Sequence, residues 1–155
     1  MANEPLRILI VEDEILIAFE LESLLQDAGY EPVGIAATSR EALTLAQDLS
    51  PDLALVDIHL ADGPTGVEVA RGLTRSGITA LFMTANAKRI PDDFAGAVGV
   101  IAKPYTERAV RNAIQYVADR MRGGHPGQAR DNVVLSPGWR PLPGATAHDG
   151  RRVIL

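Results

Sequence analysis

Five short apolar runs, separated by stretches with helical spacing, account for the first 120 residues, and that alternation constrains the fold more than any other property of the chain. The runs are LRILIV (6–11), PVGIAA (32–37), DLALVD (52–57), TALFMT (79–84) and VGVIAK (98–103). They are almost continuously apolar, as strands covered on both faces must be. Strands alternating with helices predict a parallel sheet flanked by helices, and the intervals are long enough for right-handed crossovers. The first helix is expected from Glu14 to Ala28, with Ile17, Leu21, Leu24, Leu25 and Ala28 on one face and Gly29 as its stop. Thr38 and Glu41 form a capping box for a helix over 39–49, which Pro51 closes. A third helix spans 65–76 and stops at Gly77. The stretch NAKRIPDDFAGA carries Pro91 where a helix interior should lie, at a cost of about 3 kcal/mol, so a short or irregular element is predicted there. The last helix, 105–121, buries Val110, Ala113, Ile114, Val117 and Met121.

In open parallel sheets, ligands bind beyond the carboxyl ends of the strands, where the strand order reverses. The first strand here runs into Glu12 and Asp13, the third ends on Asp57, the fourth on Thr84 and the fifth on Lys103. Glu14 is accounted for by the preference of carboxylates for helix N-termini. Glu12 and Asp13 sit one step earlier and would converge on Asp57 if the first and third strands are neighbours. Three such anions raise one another's pKa unless a cation joins them. Magnesium suits the site, because it takes hard oxygen ligands from a few carboxylates and shares phosphates. Phosphoryl transfer needs positioning and charge neutralisation more than covalent help. Asp57 then reads as the nucleophile, Lys103 as the cation on the phosphoryl oxygens and Thr84 as a hydroxyl donor. Ala85 leaves room for the incoming group.

The charge is uneven. Residues 1–119 carry 9 Lys and Arg against 18 Asp and Glu, a net −9, whereas residues 120–155 carry 6 Arg against 2 Asp, a net +4. Six scattered arginines without interleaved aromatics make a poor nucleic-acid footprint, so no nucleic-acid partner is expected. No apolar run approaches the roughly 20 residues of a membrane span, and MANEPLR does not resemble a secretory leader, so a cytoplasmic protein is expected. With no cysteine, thiolate chemistry and disulfides are excluded. The boundary is placed at residue 122: a domain over 1–122, then an extension over 123–155 in which 10 of 33 residues are Gly or Pro. Within the extension, NVVL and RRVIL read as short strands or docked segments and Trp139 as an anchor.

These residues resemble the response-regulator receiver domain of two-component signalling, over about residues 5–121. The family's acidic pair falls on Glu12 and Asp13, its phosphoacceptor on Asp57 in LVDIHL, its switch hydroxyl on Thr84 in LFMTAN and its lysine on Lys103 in IAKPY. The resemblance implies a flavodoxin-like, doubly wound α/β fold with five parallel strands in the order 2-1-3-4-5. It further implies a switch rather than an enzyme in the ordinary sense. A sensor histidine kinase or phosphotransfer protein supplies the phosphoryl group, and magnesium is held by Asp13, Asp57, the main-chain carbonyl of His59 and water. Asn86 and His59 fall at rim positions that tune hydrolysis. Pro104 follows the lysine, as is typical. Tyr105, with Phe82, Met83 and Thr84, makes the chain similar to atypical single-domain receivers with an F-x-T signature, although the usual aromatic three places before the lysine is Val100.

Ile15 and Phe19 lie one turn apart, opposite the core face of the first helix, and are expected to dock the kinase or phosphotransfer partner. The extension has three candidate roles: covering the domain's own acidic surface, mediating a homodimer or binding a partner. Signalling is expected through protein contact or as a phosphate shuttle or sink. The rival from another class is a phosphohydrolase of the haloacid-dehalogenase type, with Asp57 as nucleophile. Such enzymes resemble D-x-D, and His59 stands where the second Asp belongs. A flavodoxin-like carrier would need a phosphate cradle after the first strand, where Glu12, Asp13 and Glu14 instead repel phosphate.

Overall fold

The structure, a computed structural model, describes residues 4–123 and 133–137. Its strands are β1 (Arg7–Val11), β2 (Glu31–Ala36), β3 (Leu53–Val56), β4 (Thr79–Thr84), β5 (Gly99–Ala102) and β6 (Val133–Leu135), and its helices are α1 (Ile15–Asp27), α2 (Ser39–Leu49), α3 (Gly66–Arg75) and α4 (Glu107–Met121). The sheet order is β2-β1-β3-β4-β5-β6. The first five strands pair in parallel, in the expected 2-1-3-4-5 order. The sixth was not anticipated as part of the sheet: residues 133–135, inside NVVL, pair antiparallel with β5. Trp139 and RRVIL lie outside the described residues.

Successive side chains of a strand point to opposite faces, which explains why continuous apolar runs were needed. On one face Ile8, Ile10, Leu53, Leu55, Leu81 and Met83 pack with α1 and α4. On the other Leu9, Val11, Ala54, Val56, Ala80 and Phe82 pack with α2 and α3. The α1 stripe is turned slightly from the expected one, because Ala18 is buried with Leu21, Leu24 and Leu25 while Ile17 is only half-buried. The capping box forms at α2, where the Glu41 amide donates to Thr38 Oγ1 at 3.1 Å and the Glu41 carboxylate accepts from the Ala37 amide at 3.4 Å.

Between β4 and β5 two 3₁₀ turns, Ala87–Arg89 and Phe94–Gly96, stand in place of a helix. Pro91 disfavours helical geometry at the residue before it, and Ile90 is extended. Phe94 and Ala95 both adopt left-handed backbone, at φ 55° and 52°, a conformation that side chains disfavour. Anchors from α3 hold it in place. Arg71 pairs with Asp93 at 3.0 Å, and Thr74 Oγ1 donates to the Ala95 carbonyl at 3.1 Å.

Candidate functional site: carboxylates bridged by a lysine at the strand ends

The sheet register brings the ends of β1, β3 and β5 together. Val11 is opposite Val56 across β1 and β3, so the residues after each, Glu12 and Asp57, emerge side by side. Lys103 follows Ala102, the partner of Thr84 across β4 and β5, and its amide donates to the Thr84 carbonyl at 2.9 Å. From there Lys103 Nζ reaches Asp57 Oδ2 at 3.0 Å and Glu12 Oε1 at 3.1 Å. Glu12 is 3% exposed, while Asp13 is exposed. One carboxylate oxygen from each of Glu12, Asp13 and Asp57 lies within 4.8 Å of the others. Three hard oxygen donors in that span, with one face open through Asp13, suit a small divalent cation.

Glu12 has its pKa raised above the ordinary 4.5 by burial first, then by the neighbouring Asp57; the Glu14 amide and Lys103 oppose this without cancelling it. Lys103 also titrates above its ordinary 10.5: burial pulls it down, but the hydrogen bond and charge of Asp57, joined by Glu12, outweigh that. A raised carboxyl contributes most to stability below its unfolded value, and the contribution is lost as pH rises through the folded value. Ionising the buried Glu12 therefore costs stability as pH rises. Glu12→Gln, measured by urea unfolding at pH 7 with chelator, is expected to shift the midpoint upward; a downward shift would show that the bond to Lys103 outweighs the burial.

Thr84 is buried at 2% exposure, and its Oγ1 accepts from the Asn86 amide at 3.0 Å, so its hydroxyl is tied to the start of the irregular β4–β5 segment. Ala85 and His59 are exposed, and Asn86 is half-buried. The His59 side chain is not part of the carboxylate group. The Lys103–Pro104 peptide is cis. Tyr105 is half-buried, and burial raises its phenol pKa. On α1, Ile15 and Phe19 are 54% and 52% exposed, as expected, and Leu16 is more exposed still at 74%.

Two supports of the Asp57 loop were missed in the sequence. Gly66 opens α3 directly beneath the acceptor strand, and its amide donates to the Ile58 carbonyl at 2.9 Å. A Cβ on Gly66 would collide with the Asp57 carbonyl oxygen and lie 2.5 Å from Ile58 Cα. Asp62 fastens the far end of the loop by accepting from Ser39 Oγ at 2.5 Å and Thr65 Oγ1 at 2.7 Å. Those hydroxyls, Ser39 first, hold its carboxyl below the usual range. An Asp facing a Ser at a helix start was visible in principle only to a reading that already knew the strand order.

Residues 8–115 match the family model described as the response regulator receiver domain. The phyllosphere-induced regulator PhyR of Methylorubrum extorquens is 36% identical over 107 residues, which cover 67% of this chain and 40% of that protein. The transcriptional regulatory protein PdtaR of Mycobacterium tuberculosis is 33% identical over 127 residues, covering 78% of this chain and 60% of that one. This chain thus matches about half the length of these two relatives. Among solved structures, a CheY-like receiver domain protein from Methanospirillum hungatei superposes with a TM-score of 0.67 at 34% identity, covering 74% of this chain and 94% of that one. No helix among the described residues is long and apolar enough to cross a membrane.

Proposed function

The chain belongs to the response regulator receiver domain family, and on that premise we propose that it is a phosphorylation switch with Asp57 as its acceptor. The observation that carries this reading is the lysine bridge: Lys103 Nζ lies 3.0 Å from Asp57 Oδ2, fixing that carboxylate at the strand end beside Glu12 and Asp13. A sensor histidine kinase or a phosphotransfer protein presents a phosphohistidine. Asp57 Oδ attacks phosphorus, the P–N bond breaks, and the departing imidazole nitrogen takes up a proton.

Asp13 and Asp57, with Glu12 behind them and the His59 main chain alongside, would hold magnesium, which when bound neutralises phosphoryl oxygens. Lys103 stays on those oxygens as the fixed cation. Thr84, whose hydroxyl accepts from the Asn86 amide, then donates its proton to a phosphoryl oxygen and so couples the segment that follows to the acceptor. Asn86, His59 and Ala85 border the path by which water reaches the acyl phosphate, and so set its lifetime. Pro104 and Tyr105 flank the other side. Ile15, Leu16 and Phe19 offer an exposed apolar patch beside the site, of the kind that marks a docking surface. Output is by protein contact or by passing the phosphoryl group on, in the cytoplasm and without a nucleic-acid partner.

The test is intact-mass spectrometry after incubation with acetyl phosphate and magnesium. The native chain is expected to gain one phosphate-sized adduct that Asp57→Asn lacks. An adduct of equal yield on both chains would place the acceptor elsewhere. If neither chain reacts, incubation with a phosphorylated phosphotransfer domain decides, and failure there as well ends the proposal.

A further inference from the structure

The outer edge of β5 carries features that the phosphorylation site does not use. An exposed sheet edge is a template for pairing with another chain, and here β6 occupies it, with Val100 opposite Val134 and the Ser136 amide donating to the Val98 carbonyl at 2.8 Å. Gly99 is shaped for this strand. A Cβ there would collide with the Val134 carbonyl oxygen and come within 3.1 Å of Leu135 Cα.

The fit on β5 is close, but the hold is weak. The strand is three residues long, Val134 is 57% exposed, and Leu135 and Ser136 are only half-buried. Elements with short ladders and little buried apolar surface lie at the low end of local stability. A segment that leaves the edge readily competes with any other chain carrying the same segment. The net charge of +4 on residues 120–155 favours contact with the −9 of another copy's residues 1–119. We propose that the β5 edge is a strand-acceptor site whose partner is residues 133–136 of a second copy, so that two chains dimerise by exchanging β6.

The connection between Gly123 and Val133 supplies the test. Antiparallel β6 begins opposite Ile101 near the Lys103 end of β5, whereas α4, the crossover after β5, returns the chain toward the opposite end of the sheet. Arg122, just past α4, donates to the Glu4 carbonyl ahead of β1, so Gly123 and Val133 lie at least about 13 Å apart, the length of a four-residue strand. Deleting residues 125–132 leaves one residue there, with about 7 Å of reach. Return to the same β5 becomes impossible, while a second copy's β5 remains available.

Light scattering on full chains over a wide concentration range is expected to show a native monomer whose dimer fraction rises with concentration, and a deletion variant that is dimeric throughout. Val134→Pro, which removes a ladder donor, and Gly99→Ala, which blocks the acceptor side, should each weaken both dimers at least tenfold. Circular dichroism checks that each variant stays folded. A native chain that stays monomeric throughout, a monomeric deletion variant, or a dimer indifferent to both substitutions would overturn the proposal. The Asp57 adduct is read separately by mass, so failure of strand exchange and failure of the phosphoacceptor reading are distinguishable.

Discussion

Lys103→Met is expected to lower stability by about 3 kcal/mol at pH 7, the usual scale for removing one partner of a largely buried ion pair, and to cut the acetyl-phosphate adduct by about 10²-fold, the scale of losing one preorganised charge donor. Lys103 is the cation bonded to both Glu12 and Asp57, and Glu12 has almost no access to water. Methionine keeps the length of the stem but leaves two anions facing each other. Because the Lys103 pKa is raised above 10.5, its stabilisation is present at every pH below that value and is lost only as pH rises through the folded value. The deficit of the variant should nonetheless shrink on acidification, since protonating Glu12, whose pKa is already raised by burial, removes the repulsion that methionine leaves behind. Magnesium should raise the melting temperature of the variant more than that of the native chain, because it then meets carboxylates that no lysine opposes. A constant deficit between pH 7 and pH 4.5, with no added response to magnesium, would show that Lys103 acts by packing alone.

The elements that could be read from the sequence are those whose cause is local. Each strand of the parallel sheet had to be apolar on both faces, and LALV of β3 is buried at all four positions. The capping residues Thr38 and Glu41 meet as their spacing implies, and Pro91 keeps a regular helix from forming between β4 and β5 for a reason contained in the proline itself. Glu12, Asp57 and Lys103 were legible because strand ends in this architecture share one rim, so three distant positions could be placed together before any distance was known. Their joint geometry is the part of the site that sequence position carried well.

What escaped is tertiary in origin. Nothing in DNVVLS distinguishes a free segment from one that completes a sheet, because the deciding feature is the missing side chain of Gly99 some 35 residues earlier. The bond from the Asn86 amide to Thr84 Oγ1 also escaped, because it depends on how the chain turns after β4. A hydroxyl accepts and donates at once, so this bond leaves the Thr84 proton available for a phosphoryl oxygen. Leu16 belonged to neither face expected of α1, and its 74% exposure beside Ile15 and Phe19 became visible only once the burial of Ala18 fixed the rotation of the helix.

Gly66→Ala is expected to destabilise the chain by about 3 kcal/mol, the upper range for forcing a methyl into a packed site, and to lower phosphorylation at Asp57 beyond what the loss of folded protein explains. In an exposed helix the same substitution would stabilise by about 0.5–1 kcal/mol, since glycine is the poorer helix former, so the sign here is decided by contact. The added Cβ meets the Asp57 carbonyl oxygen, Ile58 Cα at 2.5 Å and the Asp57 carbonyl carbon at 2.8 Å, all of them backbone. Backbone cannot swing aside as a side chain does. Either α3 moves away, opening the layer that buries Val69, Ala70 and Leu73, or the Asp57–Ile58 peptide moves and carries the acceptor carboxylate off its 3.0 Å contact with Lys103. Gly72, in the same helix, is the internal comparison. A Cβ there meets only Leu43 Cδ2, at 2.9 Å, the tip of a side chain that is 41% exposed and free to turn. Gly72→Ala should therefore be neutral or stabilising in urea unfolding and leave the adduct yield unchanged. Equal behaviour of the two variants would mean that the approach of α3 to Asp57 exerts no control over the acceptor.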